Sequence, residues 1–123
     1  MHEGEGGTPE DLFEGYPHAL ALCQEVQRAV AELGDVSLTT TKSQVAFRRR
    51  RGFAYVWRPG QYVVSDVPLV LSIALPHEVR SDRIKSVAHP SRNVWMHHIE
   101  LRGTGEVDDR IRGWLAEAYA NAG

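Results

Sequence analysis

The segment between Lys42 and Arg58 contains six basic residues and no acidic one, and four of them form the run Arg48 to Arg51. The aromatic residues Tyr55 and Trp57 follow at alternate positions. Guanidinium groups bind phosphates, and aromatic rings stack on bases. The segment therefore predicts a surface for an anionic ligand or a nucleic acid, with stacking available only if both rings lie on an open face of a sheet.

The same arginine run has a second interpretation. It ends at Gly52, which predicts the tip of a β-hairpin with a positive φ at that glycine. Exposed cations at such a tip discourage edge-to-edge aggregation, so the run is also typical of a solvated turn. The first 35 residues, with eight acids and one base, would repel a long polyanion unless they lie on the far side of the fold. Both interpretations stay open, with Lys42 and Arg58 expected near the run if the flanking strands pair.

The adjacent residues His97 and His98 lie in a segment with the alternation of a strand. Neighbouring strand side chains point to opposite faces, so the two rings are not expected to bind one metal ion. His97 shares its face with Ile99 and Leu101, which predicts a buried, uncharged ring, while His98 should be the more exposed. An enzyme with a histidine-containing cleft, built on His97 or His98 and of unknown reaction, is the alternative function.

The sequence contains no glycine-rich phosphate loop after a strand, no nucleophile elbow and no paired histidines on a helix. This favours a small binding or adaptor module of unknown ligand over an enzyme, with no metal and no cofactor expected. Asp108 and Asp109 are interpreted as helix-capping residues. The candidate ligand-binding residues are Lys42, Arg48, Arg49, Arg50, Arg51, Tyr55, Trp57 and His98.

These residues must be positioned by two kinds of element. A helix from Pro17 to Gly34 has its apolar residues at spacings of three and four, after a short helical turn with Thr8 as its cap. A last helix follows Asp108, with Trp114 at the centre of its buried stripe. Alternating residues predict strands around Val36–Leu38, Val45–Phe47, Phe53–Trp57, Leu69–Leu75 and Asn93–Leu101.

The predicted fold is α+β, with about five mostly antiparallel strands and an N-terminal and a C-terminal helix packed on the sheet. Residues 1–15 form an acidic N-terminal segment with a short helical turn, and residues 16–121 form a single α+β domain. The polar stretch from His77 to Arg92 has no strong periodicity, and a turn of helix is expected over Ser81 to Val87.

Composition places the chain among ordinary globular proteins, since 42% of its 123 residues are hydrophobic and 24% are charged. The longest apolar stretch, Val67 to Leu75, is too short to span a bilayer. Met1 to Gly7 is acidic rather than a secretory signal, so a cytoplasmic protein with no membrane partner is expected. The single cysteine, Cys23, excludes an internal disulfide. The sequence leaves monomer and homodimer open, and the partner unknown.

Four short segments of the chain resemble a known family. They are Thr41–Phe47, Phe53–Ala54, Trp95–His98 and Trp114–Tyr119. In order and spacing they are similar to the uncharacterised bacterial domain-of-unknown-function family 5655, over roughly residues 13–119. Members of that family occur alone or as a terminal domain of longer chains. The resemblance implies the fold and carries over no activity or catalytic residue.

Overall fold

The computed structural model describes residues 7–123, so the acidic residues 1–6 of the predicted N-terminal segment lie outside the described residues. The described chain has an α+β fold, in which one antiparallel sheet of six strands packs against helices. The helices are α1 (Pro9–Leu12), α2 (Pro17–Ala31) and α3 (Asp109–Asn121). The strands are β1 (Ser37–Thr40), β2 (Val45–Arg48), β3 (Gly52–Trp57), β4 (Leu69–Leu75), β5 (Ser86–Ser91) and β6 (Val94–Leu101).

The sheet has the order β1, β2, β3, β4, β6, β5, and each neighbouring pair is antiparallel. In the register, Ile73 of β4 lies between Ala54 of β3 and His97 of β6. Ala54, Ile73 and His97 are all buried on the face that packs against α2 and α3. We call the opposite face, to which the alternate residues point, the open face.

Helices α2 and α3 bury the apolar stripes that their sequences predict. Leu22 of α2 and Ile111 and Leu115 of α3 are completely buried in one core with the sheet. The capping role of Asp108 is confirmed, because its carboxylate accepts a hydrogen bond from the Ile111 N–H at 3.2 Å. Trp114 is less buried than predicted, because its ring is only half-buried at the margin of the core. Within residues 7–123, no helix has both the length and the apolar character needed to cross a membrane.

The predicted number of strands is one too few, because β5 lies in the polar stretch before β6. Val87 and Ala88 of β5 pair with His97 and Met96 of β6. The helical turn expected over residues 81–87 is wrong, since a tight turn closed by the Ile84 N–H and the Ser81 carbonyl leads directly into the strand. An edge strand has a neighbour on one side only, so β5 is mostly exposed and its sequence lacks an apolar alternation.

Candidate functional site

The open face carries three of the predicted binding residues side by side. Tyr55 and Trp57 of β3 and His98 of β6 alternate with core residues, so their side chains point away from α2 and α3. The register pairs Ser72 of β4 with Tyr55 on one side and with His98 on the other. The two rings therefore lie on the open face, as stacking would require.

A cavity of about 470 Å³ lies over these residues on the open face. Its volume is within the range of small-molecule sites, which is about 300–1,000 Å³. No lysine, arginine, aspartate or glutamate is among its lining residues. The wall is thus mostly aromatic, with a few polar groups. The lining residues are Gln44, Tyr55, Trp57, Tyr62, Ser72, Met96 and His98.

Three polar groups form a hydrogen-bonded chain at the base of the cavity. The Trp57 Nε1–H donates to Ser72 Oγ at 2.9 Å, and Ser72 Oγ lies 2.7 Å from His98 Nδ1. An indole can only donate, so Ser72 accepts from Trp57, and its own proton is available for His98 Nδ1. When Ser72 donates this proton, the neutral His98 ring carries its own proton on Nε2, where it can donate to a ligand.

His98 is uncharged at neutral pH. Burial lowers the pKa of His98 below its ordinary value. The ring also meets the edge of Trp57, with centroids 6.2 Å apart and planes at 87°. The cavity therefore offers an oriented neutral donor beside an aromatic surface, and this combination suits an uncharged planar group.

We expect the His98 ring to titrate below its ordinary value of 6.5 in the folded protein. Between the lowered pKa and 6.5 the unfolded chain binds more protons, so the contribution of His98 to stability is complete above this window and is lost as the pH falls through it. NMR titration of the imidazole signals, and urea unfolding across the window, measure this. His98→Gln should unfold with a smaller pH dependence, and an equal dependence in the variant would contradict the assignment.

A second cavity, of about 390 Å³, adjoins the first and shares Tyr55 and Met96 with it. It lies at the end of the sheet where the β2–β3 turn meets the end of α3, and Arg51 is among its lining residues. The predicted positive φ at Gly52 is wrong, since among residues 7–123 positive φ angles occur only at Gly15 and Gly34. Gly52 instead leaves room for the Tyr55 hydroxyl, because a Cβ at this position would overlap it and displace the end of the Tyr55 side chain.

Arg48 ends β2, and Arg49, Arg50 and Arg51 form the β2–β3 turn. This turn docks on the C-terminal end of α3 rather than standing free in solvent. The Arg49 guanidinium donates to the Tyr119 carbonyl at 3.2 Å and lies 4.4 Å from the centre of the Tyr119 ring. Arg51 donates to the Asn121 carbonyl, and the backbone N–H groups of Arg50 and Arg51 donate to the Ala122 carbonyl. Cations and donors at a helix C-terminus satisfy its free carbonyls and favour its dipole.

Lys42 and Arg58 do not join the arginine run. Because β2 and β3 are antiparallel, both residues lie at the opposite end of this strand pair. Arg58 stacks on Tyr16, with its guanidinium carbon 3.6 Å from the ring centre. The expected grouping of Lys42 and Arg58 with the arginines is therefore wrong.

His97 lies in the core, as predicted, and takes no part in either cavity. It is 1% exposed, and its Nε2 accepts a hydrogen bond from the Val79 N–H at 2.9 Å. Its Nδ1 lies 3.3 Å from the Ile73 carbonyl, to which it can only donate. These two bonds fix a neutral tautomer and tie the loop after β4 to the sheet. Of the two histidines, only His98 reaches the candidate site.

Comparison with known proteins places the chain in a family. The family described as Domain of unknown function (DUF5655) matches residues 10–122. The chain belongs to the DUF5655 family. The match confirms the resemblance that the sequence indicated. It covers nearly the whole chain. No curated protein and no solved structure matches it.

The DUF5655 domain has no obvious metal centre in its described part. Among residues 7–123, no group of three or more histidine, cysteine, aspartate or glutamate side chains could hold a metal ion. Cys23 is fully buried, and burial raises the pKa of its thiol to about 12. Such a thiol is unreactive in the folded state, because the thiolate is the nucleophile.

The sequence did not identify four lining residues of the cavity in this DUF5655 domain: Gln44, Tyr62, Ser72 and Met96. One of them had a signal, since Ser72 is the only hydroxyl in the apolar strand from Leu69 to Leu75. Tyr62 belongs to the loop after β3. Folding brings the centre of its ring to 6.0 Å from the centre of the Trp57 ring.

Proposed function

We propose that this DUF5655 domain is a binding module that holds a planar aromatic group in the cavity of the open face. The group lies against Trp57 and accepts a hydrogen bond from the Nε2–H of His98. The observation that carries the proposal is the hydrogen-bonded chain from Trp57 through Ser72 to His98 beneath an aromatic cavity.

The energetics of the open face support a binding role. Burying polar groups in a sheet costs free energy that aliphatic residues would avoid, even when the groups are hydrogen-bonded to one another. Here the hydrogen-bonded chain from Trp57 through Ser72 to His98 leaves the Nε2–H of His98 at the cavity, where a ligand can accept from it. Tyr62 at the rim is 64% exposed, so a ligand would also cover apolar surface that the fold leaves in water.

The test is an NMR screen of small planar aromatic compounds, monitored by the amide and indole signals of the protein. Binding at the cavity should shift the Trp57 indole and Ser72 amide signals together. Trp57→Leu should abolish the response, whereas Trp95→Phe, which changes a tryptophan that lines neither described cavity, should retain it. Thermal unfolding of both variants checks that they fold. Compounds that bind Trp57→Leu as well as the parent protein would refute the proposal.

A second candidate function uses the 2.7 Å contact between Ser72 Oγ and His98 Nδ1, which is a possible nucleophile–base pair. In that case Ser72 would attack an acyl or phosphoryl group while its proton passes to His98. Ser72 is only 3% exposed and already accepts from Trp57, so binding is the better supported function. Covalent labelling of Ser72 by a fluorophosphonate, absent in Ser72→Ala, would favour the enzyme.

A further inference from the structure

We propose that the ligand is a nucleotide, with its base in the cavity over Trp57 and its phosphate at Arg51 in the adjoining cavity. This inference rests on the proposed function, since it assigns a second group to the same ligand. The shared chemistry is an aromatic base joined to a phosphate, whether the nucleotide is free or part of a single strand.

The two cavities are neighbours at β3. Tyr55 and Met96 line both, and they separate the aromatic part from the part that contains Arg51. Trp57 and Tyr55 are two residues apart on one strand, so their positions differ by about 7 Å along the sheet. When the flat part of a ligand lies on Trp57, a second group of the same ligand extends past Tyr55 toward the arginine turn.

Among the residues that line the two described cavities, only Arg51 is charged. Arg51 uses one guanidinium nitrogen for the Asn121 carbonyl, and its other N–H groups remain for a ligand. Within residues 7–123, none of the four arginines from Arg48 to Arg51 has an acidic side chain within 4.0 Å. The guanidinium of Arg48 lies beside Gly52 and adds a second positive charge near this cavity.

The other end of the open face carries charges of both signs. Glu100 follows His98 by two residues on β6 and points to the same face, away from the arginine turn. Glu100 lies 3.9 Å from the Arg102 guanidinium, so its charge is offset there. An anionic group is attracted to Arg51, and the uncharged ring of the same ligand then lies at Trp57 and His98.

The test compares adenosine, adenosine monophosphate and ribose 5-phosphate at low and high salt, with calorimetry and tryptophan fluorescence as readouts. The monophosphate should bind about 10- to 100-fold more tightly than the nucleoside at low salt, which is the range for one charge-assisted hydrogen bond. Arg51→Gln should remove this advantage, so that the monophosphate and the nucleoside bind this variant with similar affinity. Arg50→Gln is the matched control, because it removes one charge from the same turn but from a residue that lines neither cavity.

The results separate this inference from the proposed function. Equal affinity for nucleoside and monophosphate, or an equal loss in Arg50→Gln and Arg51→Gln, would overturn the nucleotide assignment while the aromatic site stands. No binding of any of the compounds, when planar aromatic fragments do bind, would overturn it as well. If Arg51→Gln unfolds, Arg51→Lys takes its place and should lower the monophosphate affinity, because lysine lacks the planar fork.

A set of oligothymidylates of increasing length distinguishes the two sources of the nucleotide. A single strand is the source if affinity rises with length and falls with salt, as expected when further phosphates are neutralised. A free nucleotide is the source if the mononucleotide binds as tightly as the oligonucleotides. Either result is consistent with the base and phosphate positions, provided that Trp57→Leu and Arg51→Gln weaken binding.

Discussion

Leu115→Ala is expected to lower the free energy of unfolding by about 2–5 kcal/mol, the usual cost of truncating a buried leucine. Leu115 is completely buried between α3 and the sheet, so the surrounding side chains cannot close the cavity without moving the helix. This is a large part of the total stability of a small domain, which is about 5–15 kcal/mol. Urea unfolding measures the loss.

Trp114→Ala is the matched comparison on the same helix. Although Trp114 is the larger side chain and the predicted centre of the stripe, it is only half-buried, so its truncation should cost less than that of Leu115. The ratio of the two losses therefore measures which residue faces the core. A greater loss in Trp114→Ala than in Leu115→Ala would contradict the orientation of α3.

His97→Leu is expected to cost about 1–3 kcal/mol, because it leaves the Val79 N–H without the acceptor that His97 Nε2 provides. Leucine has a similar volume and creates no large cavity, so the lost hydrogen bonds dominate the effect. Local opening around Val79 should increase more than opening of the rest of the sheet. Hydrogen exchange at the Val79 amide should accelerate more than exchange in the centre of β4.

His97→Gln provides the control for this prediction. Its side-chain oxygen can accept from the Val79 N–H, so it should recover part of the stability and of the amide protection. If His97→Leu and His97→Gln lose stability equally while Val79 exchange stays slow in both, the hydrogen bond is not what His97 contributes.

The sequence predicted those elements whose burial has a regular period. In β4 and β6 apolar residues alternate, and this assigned His97 to the core and His98 to the opposite face. Strand β5 was not predicted by this criterion, because its sequence Ser86–Ser91 contains Pro90 and has no apolar alternation. What makes it a strand is pairing with β6, an interaction that depends on backbone groups and leaves little trace in side-chain type.

The site was predictable where strand alternation decides it and unpredictable where distant segments meet. Tyr55, Trp57 and His98 were identified from alternation and residue type, and the fold brings them together in one cavity. The docking of the arginine turn on α3 could not be predicted from the sequence, because the carbonyls that Arg49 and Arg51 bind are 70 residues away in the chain. To predict Ser72 as a site residue, the strand register would have been required as well as the alternation.

The strand order also has a consequence for the time course of folding. Neighbours in the sheet are neighbours in the chain except for β4 and β6, so most pairings close short loops and can form early. Helix α3 follows all six strands, and the core face of the sheet stays uncovered on that side until α3 docks. During synthesis this face is exposed to other chains for as long as the last helix remains in the ribosome, which is the interval when aggregation competes with folding.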